Sequence, residues 1–200
     1  MKKGALMILG GILIIGLIIG LGFLISIGAY NKMVRLDEAV KEGWSQVENV
    51  YQRRADLIPN LVATVKGYAS FEKETLTQVI EARAKATSVN IDASKLNPET
   101  LAKFEQAQGE LSSALSRLMV VVEKYPDLKA NQNFLELQAQ LEGTENRIAV
   151  ERRKFNQVTK DYNVYIRRFP AKVFANMYGF DQKPYFEAKE GAENAPEVKF

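Results

Sequence analysis

Apolar positions divide this chain into two regimes. From Gly4 to Ala29 nearly every residue is apolar and none is charged; from Lys32 onward apolar and polar residues interleave with helical periods. As a helix the first run is about 39 Å long, more than the roughly 30 Å hydrocarbon core of a bilayer, so it spans a membrane with some tilt. Lys2 and Lys3 flank one end. Tyr30, Asn31, Lys32 and Arg35 flank the other, where Tyr30 suits the headgroup interface. A cleaved signal peptide competes with this reading, because Ser26 and Gly28 are small residues at a spacing a peptidase accepts. The apolar run exceeds the 7–15 residues or so usual for such a segment, and it is too long for a buried core helix, so a retained transmembrane helix over residues 1–29 is the expectation.

Beyond the span the pattern predicts four helices. In the first, Met33, Val40, Val47, Arg54, Leu61 and Tyr68 recur at sevenfold spacing, with Trp44, Tyr51, Ile58 and Val65 between them. Pro59 is expected to kink this helix near Asp56, and no strong stop separates it from the span. Gly67 and Ser70 predict a turn with Ser70 as N-cap, followed by a shorter helix carrying Leu76, Val79, Arg83 and Ala86. A loop over 88–96 leads to Asn97-Pro98-Glu99, which combines an N-cap residue, a proline in the first helical position and a carboxylate in the first turn. The third helix shows Leu101, Phe104, Gln108, Leu111, Leu115, Leu118 and Val122, closed by Tyr125-Pro126-Asp127. The fourth runs from about Asn131 with Phe134, Leu141, Ile148, Phe155, Tyr162 and Phe169 seven apart, ending at Phe169-Pro170. The predicted fold is all-α: an N-terminal transmembrane helix followed by an elongated antiparallel four-helix bundle with coiled-coil packing over residues 30–170. Residues 171–186 are expected as an extension packed on the bundle, and the polar stretch 187–200, with Gly191 and Pro196, as a flexible tail.

Composition narrows the chemistry. The 200 residues include no histidine and no cysteine. This removes disulfides, thiol nucleophiles, Ser-His-Asp triads and the commonest general base, together with most zinc sites and the Glu-x-x-His pairs of di-iron bundles. No catalytic residue, metal site or cofactor is therefore assigned. A formal net charge of +3, without a basic patch interleaved with aromatics, gives no reason to expect nucleic acid as a partner. The charges flanking the span nearly tie, so they leave its orientation open.

Two features invite a functional reading. Within the span, Gly16 and Gly20 form GxxxG, and Gly22 with Ser26 extends the small-residue face, along which helices pack closely in lipid. The bland alternative is that glycine is common in membrane helices. In the bundle, Arg54 and Glu151 fall at core-type positions, and Glu142, Asn146, Arg153, Asn156 and Asn163 make a polar stripe beside the apolar one. If the first and last bundle helices are antiparallel, Arg54 lies level with Glu142 and Asn146. A buried polar network of Arg54, Glu142, Asn146 and Glu151 follows as an expectation. It either fixes helix register or forms a ligand or switch site. Glu142, Glu145 and Glu151 supply carboxylates for a hard cation, but without a binding loop.

Several longer motifs resemble the LemA family: Trp44-Ser-Gln-Val, Arg53-Arg54-Ala-Asp-Leu-Ile-Pro-Asn-Leu-Val, Glu81-Ala-Arg83, Tyr125-Pro-Asp-Leu-Lys129, Gly143-Thr-Glu-Asn-Arg-Ile-Ala, and Tyr162-Asn163 through Arg168-Phe169-Pro170, on to Pro184-Tyr185-Phe186. The resemblance covers nearly everything from Tyr30. It implies a bacterial single-pass membrane protein whose helical bundle faces the cytoplasm, with no enzymatic activity attached to the family. The function expected is a non-enzymatic membrane-anchored scaffold or interaction protein. Its partners would be the lipid bilayer, further copies of the chain and other membrane proteins. The alternative is a membrane-tethered sensor whose polar network binds a small ligand or ion.

Overall fold

The computed structural model describes residues 2–67 and 72–187, with side chains from Leu9 onward. Among these residues every regular element is helical. Helix α1 covers Lys2–Lys66 and includes Pro59. Its apolar N-terminal part is bare on all sides: Leu17 is 71% exposed and Ile12, Leu13, Ile19 and Leu24 are similarly open. A helix apolar all round has to be covered by something, and this one is long and apolar enough to cross a membrane.

Helix α2 (Lys73–Ser88) buries Thr75, Leu76, Val79 and Ala86. A single 3-10 turn at Ala93–Lys95 interrupts the following loop, its first turn held by the Asp92 side chain accepting from the Ser94 N–H. Helix α3 (Pro98–Val122) starts in a reciprocal capping box. The Asn97 side chain accepts from the Thr100 N–H, and the Thr100 hydroxyl accepts from the Asn97 N–H. The connection to the last long helix is itself helical, since α4 (Pro126–Lys129) starts at the same Tyr125-Pro126-Asp127 that was expected to close α3. Helix α5 spans Gln132–Arg167. Pro170 does not end the helical order: α6 (Ala171–Tyr178) follows it, closed by Gly179 at φ 75, a left-handed cap that costs glycine no Cβ clash. The expected Ser70 cap, Tyr68 and the tail from residue 188 lie outside the described residues.

Two compact units share α1 and α5. Over the described residues, one comprises 2–40 with 160–182, the other 41–67 and 72–159 with 183–187. In the second, one core layer draws Ile58, Leu61 and Val65 from α1, Leu76 and Val79 from α2, Leu111 and Leu118 from α3, and Phe134 and Leu141 from α5, with Leu128 of α4 closing its end. A second layer is aromatic. Trp44 meets Phe104 and Phe155 edge-on at 5.2 and 5.8 Å between ring centroids, and Phe186 stacks on it at 5.9 Å. Asn156 holds Phe186 in place from both sides, donating to its carbonyl and accepting from its N–H, each at 2.9 Å. In the first unit Met33, Val40, Tyr162, Ile166, Ala171 and Ala175 are buried. The Tyr162 hydroxyl donates to the Asp181 carbonyl at 2.8 Å, and burial raises its pKa well above the usual tyrosine value.

The heptad positions of α1 from Met33 to Val65 are all buried, as are Phe134, Leu141, Ile148, Phe155 and Tyr162 of α5. The series fails at its last member. Phe169 is 85% exposed, because α5 stops at Arg167 and the chain turns before the next core-facing position.

Candidate functional site

Arg54 sits on α1 between the core positions Val47 and Leu61, so the helix drives its side chain inward; it is 2% exposed. Its guanidinium is met chiefly by α3. One terminal nitrogen donates to Gln108 Oε1 at 2.7 Å and to the Gln108 carbonyl at 3.3 Å. The other donates to Ser112 Oγ at 2.8 Å and to Glu145 Oε2 of α5 at 2.9 Å. Gln108 and Ser112 are four residues apart, so they share one face of α3. Gln108 is itself fixed from behind, donating to the Ala86 carbonyl at the end of α2. The Tyr51 ring, one turn earlier on α1, covers the guanidinium at 5.1 Å. The Arg54 Nε–H is buried without a partner.

A second arginine lines the same cleft. Arg152 of α5 donates to Glu105 Oε1 at 2.6 Å and to the Glu187 carbonyl at 3.0 Å, and packs over the Phe186 ring at 4.5 Å. The two arginines, their two carboxylates, Tyr51 and Ser112 surround a cavity of about 250 Å³. Burial pushes the Glu105 carboxyl up, more than Arg152 pulls it down, with Glu187 pushing the same way as burial. Burial likewise raises the Tyr51 hydroxyl, against the pull of Arg152 and Arg54. The arrangement offers planar N–H forks suited to carboxylate or phosphate oxygens, though each fork already has a carboxylate.

The expected network is therefore corrected in its membership. Arg54 is buried, but its carboxylate is Glu145. Glu142 shares a face of α5 with Glu145 but lies one turn nearer the helix start, about 4.5 Å along the axis, where it is exposed and accepts from Gln138. Asn146 is exposed. Glu151 is half-buried and pairs with Lys154 within its own helix. Among the described residues no three carboxylates gather where they could hold a metal ion. Gln108 carried a legible signal, a polar residue in the apolar series of α3. Ser112, Glu105 and Arg152 carried none, since they flank that series and only helix packing brings them to Arg54. On the span, an added Cβ at Gly16, Gly20 or Gly22 would meet only open space. Ser26 is not free to extend that face, because its hydroxyl lies 2.6 Å from the Tyr178 hydroxyl of α6.

An all-helical chain that joins a bare apolar helix to a helical core built around a buried arginine is the class these observations define. The chain belongs to the LemA family, whose model matches residues 43–200. It is 28% identical to magnetosome protein MamQ 2 of Paramagnetospirillum magneticum and to magnetosome protein MamQ of Magnetospirillum gryphiswaldense, over 82% of this chain and 66% of each relative. It is 26% identical to protein LemA of Metamycoplasma hominis, over 82% of this chain and 71% of that protein. The chain thus spans 66% of the length of the magnetosome relatives it matches.

Proposed function

We propose that this chain is a non-enzymatic membrane-anchored scaffold. The N-terminal part of α1 crosses the bilayer, and the core segments of α1, α2, α3 and α5 make an antiparallel four-helix bundle that recruits partners or further copies. The observation that carries this reading is the bare apolar stretch of α1, which continues as the same helix into core positions packed by Trp44, Ile58 and Leu61. The hydrogen bonds at the buried arginine support a structural role, since its terminal nitrogens donate to Gln108, Ser112 and Glu145. The open face at Gly16, Gly20 and Gly22 is the self-assembly surface.

Native mass spectrometry of the full chain in detergent tests the reading. Oligomers are expected, and Gly16→Ile with Gly20→Ile should dissociate them. A strictly monomeric particle that crosslinks to no neighbour in cells would refute it. A second reading, a tethered sensor, is favoured by the cleft at Arg54 and by its unpartnered Nε–H. It expects inorganic phosphate or a dicarboxylate to raise the melting temperature of the full chain but not of Arg152→Gln.

A further inference from the structure

Helix α6 has two unlike faces. Ala171 and Ala175, four residues apart, are its buried side. Val173 and Met177 therefore point outward together, and Phe169 lies in the turn just before the helix; all three are exposed. From Tyr162 to Phe180 the chain holds Arg167, Arg168 and Lys172 and no acidic residue. All three cations are exposed, and Arg168 lies over the Tyr165 ring at 4.7 Å. Scattered apolar side chains on a surface need no explanation, but Val173 and Met177 on one helix face, with Phe169 in the turn just before it and three exposed cations alongside, make an interfacial amphipathic pattern.

The position of this helix says what covers it. At its C-terminal end the Tyr178 hydroxyl reaches Ser26 Oγ of α1, its ring meets Tyr30 at 5.0 Å, and Phe180 meets Tyr30 at 5.9 Å. Ser26 lies four residues inside Tyr30, about 6 Å into the apolar run, and Ile25 and Ile27 on either side of it are exposed. The end of α6 is thus level with the outermost turn of the span, the depth at which interfacial helices sit, about 5–10 Å into the headgroup boundary. Tyr30 and Tyr178 together form the aromatic edge expected there.

We propose that the outer face of α6, with Phe169, is buried in the lipid headgroup boundary at the Ala29 end of the span, and that Arg167, Arg168 and Lys172 hold anionic headgroups. This rests on the reading of α1 as a membrane span and gives the chain a second membrane contact, from the far end of its sequence. Because the chain has no cysteine, single cysteines carry a fluorophore without a background. The full chain would be labelled after Val173→Cys or Met177→Cys, with Leu17→Cys as the mid-span control and Lys103→Cys as the aqueous one. Each protein is reconstituted in phosphatidylcholine vesicles with and without phosphatidylglycerol.

Labels at 173 and 177 are expected to be quenched at least about twofold more than the label at 103 by lipids spin-labelled near the headgroup. The label at 17 should respond to lipids labelled deep in the chain. Labels at 173 and 177 as accessible to water as that at 103, with 17 still in lipid, overturn the proposal and leave the anchor intact. A label at 17 in water overturns the anchor and the proposal with it. Phosphatidylglycerol should increase quenching at 177, and Arg167→Gln, Arg168→Gln and Lys172→Gln together should abolish that increase. Indifference to the anionic lipid overturns the headgroup assignment.

Discussion

Replacing Arg54 and replacing its carboxylate should have very unequal effects. Arg54→Ala removes a guanidinium that is 2% exposed and makes four hydrogen bonds, two of them to Gln108, which is itself buried. The loss leaves the Gln108 amide oxygen unsatisfied, worth about 1–3 kcal/mol, and opens a void where the side-chain stem packed. Together these give about 3–5 kcal/mol, the upper range for truncating a large buried side chain. Glu145 is different, because its side chain is 57% exposed, so water already screens the pair, and a glutamine oxygen in its place can still accept from the Arg54 guanidinium, which keeps Gln108 and Ser112 as well. Glu145→Gln should therefore cost only about 0–1 kcal/mol. Arg54→Met keeps the stem and should fall between the two, and Arg54→Met with Gln108→Leu should recover only part of the loss, since it removes the orphaned amide oxygen but takes the donor from the Ala86 carbonyl. The assay is urea denaturation of the full chain in detergent micelles, followed by the single tryptophan, Trp44, which is buried among Phe104, Phe155 and Phe186. At a slope of about 2 kcal/mol per molar urea, Arg54→Ala should lower the midpoint by about 2 M and Glu145→Gln by less than about 0.5 M. Equal shifts for the two would refute the reasoning, because they would make the ion pair, and not the buried amide, the source of the stability.

Three further outcomes are expected. Asn97→Ala breaks the capping box at the start of α3 and should cost about 1 kcal/mol in the same titration, with Asn97→Ser nearly neutral. At Gly43 an added Cβ would meet Val158 Cγ2 at 3.1 Å and Phe155 Cα at 3.6 Å. Gly43→Ala should then be close to neutral, the helix propensity gain of about 1 kcal/mol offset by displacing the Val158 methyl, while Gly43→Leu should destabilise by about 1–3 kcal/mol. The raised pKa of Glu105 means that the folded chain binds this proton more tightly than the unfolded one. The resulting penalty is present in full above the raised pKa and is relieved as pH falls through it toward the ordinary carboxylate value. The urea midpoint of the parent should accordingly approach that of Glu105→Gln on mild acidification; a gap between the two that ignores pH would contradict the assignment.

Local pattern determined much of this molecule. The apolar run from Gly4 needs no tertiary partner to declare itself, because its length and composition alone make it a candidate to cross a membrane. The sevenfold spacing through Met33, Val40, Val47 and Leu61, and through Phe134, Leu141 and Phe155, likewise predicts burial, since residues seven apart return to one helix face whatever that face meets. The start of α3 was legible in three residues for the same reason: a cap is a contact between near neighbours. What a residue meets on another helix has no such local signature. That Arg54 enters a core follows from its spacing, but that it meets Glu145 and not Glu142 depends on the level at which α5 passes α1. Three residues, or about 4.5 Å, separate the two answers, and both are equally consistent with the periodicity of α5. The bond from Tyr178 to Ser26 was hidden in the same way, because a Pro170 that stops one helix gives no sign that the next will return to the edge of the apolar span. Periodicity fixes which face of a helix is buried; only packed side chains and connecting turns decide the height at which two faces meet.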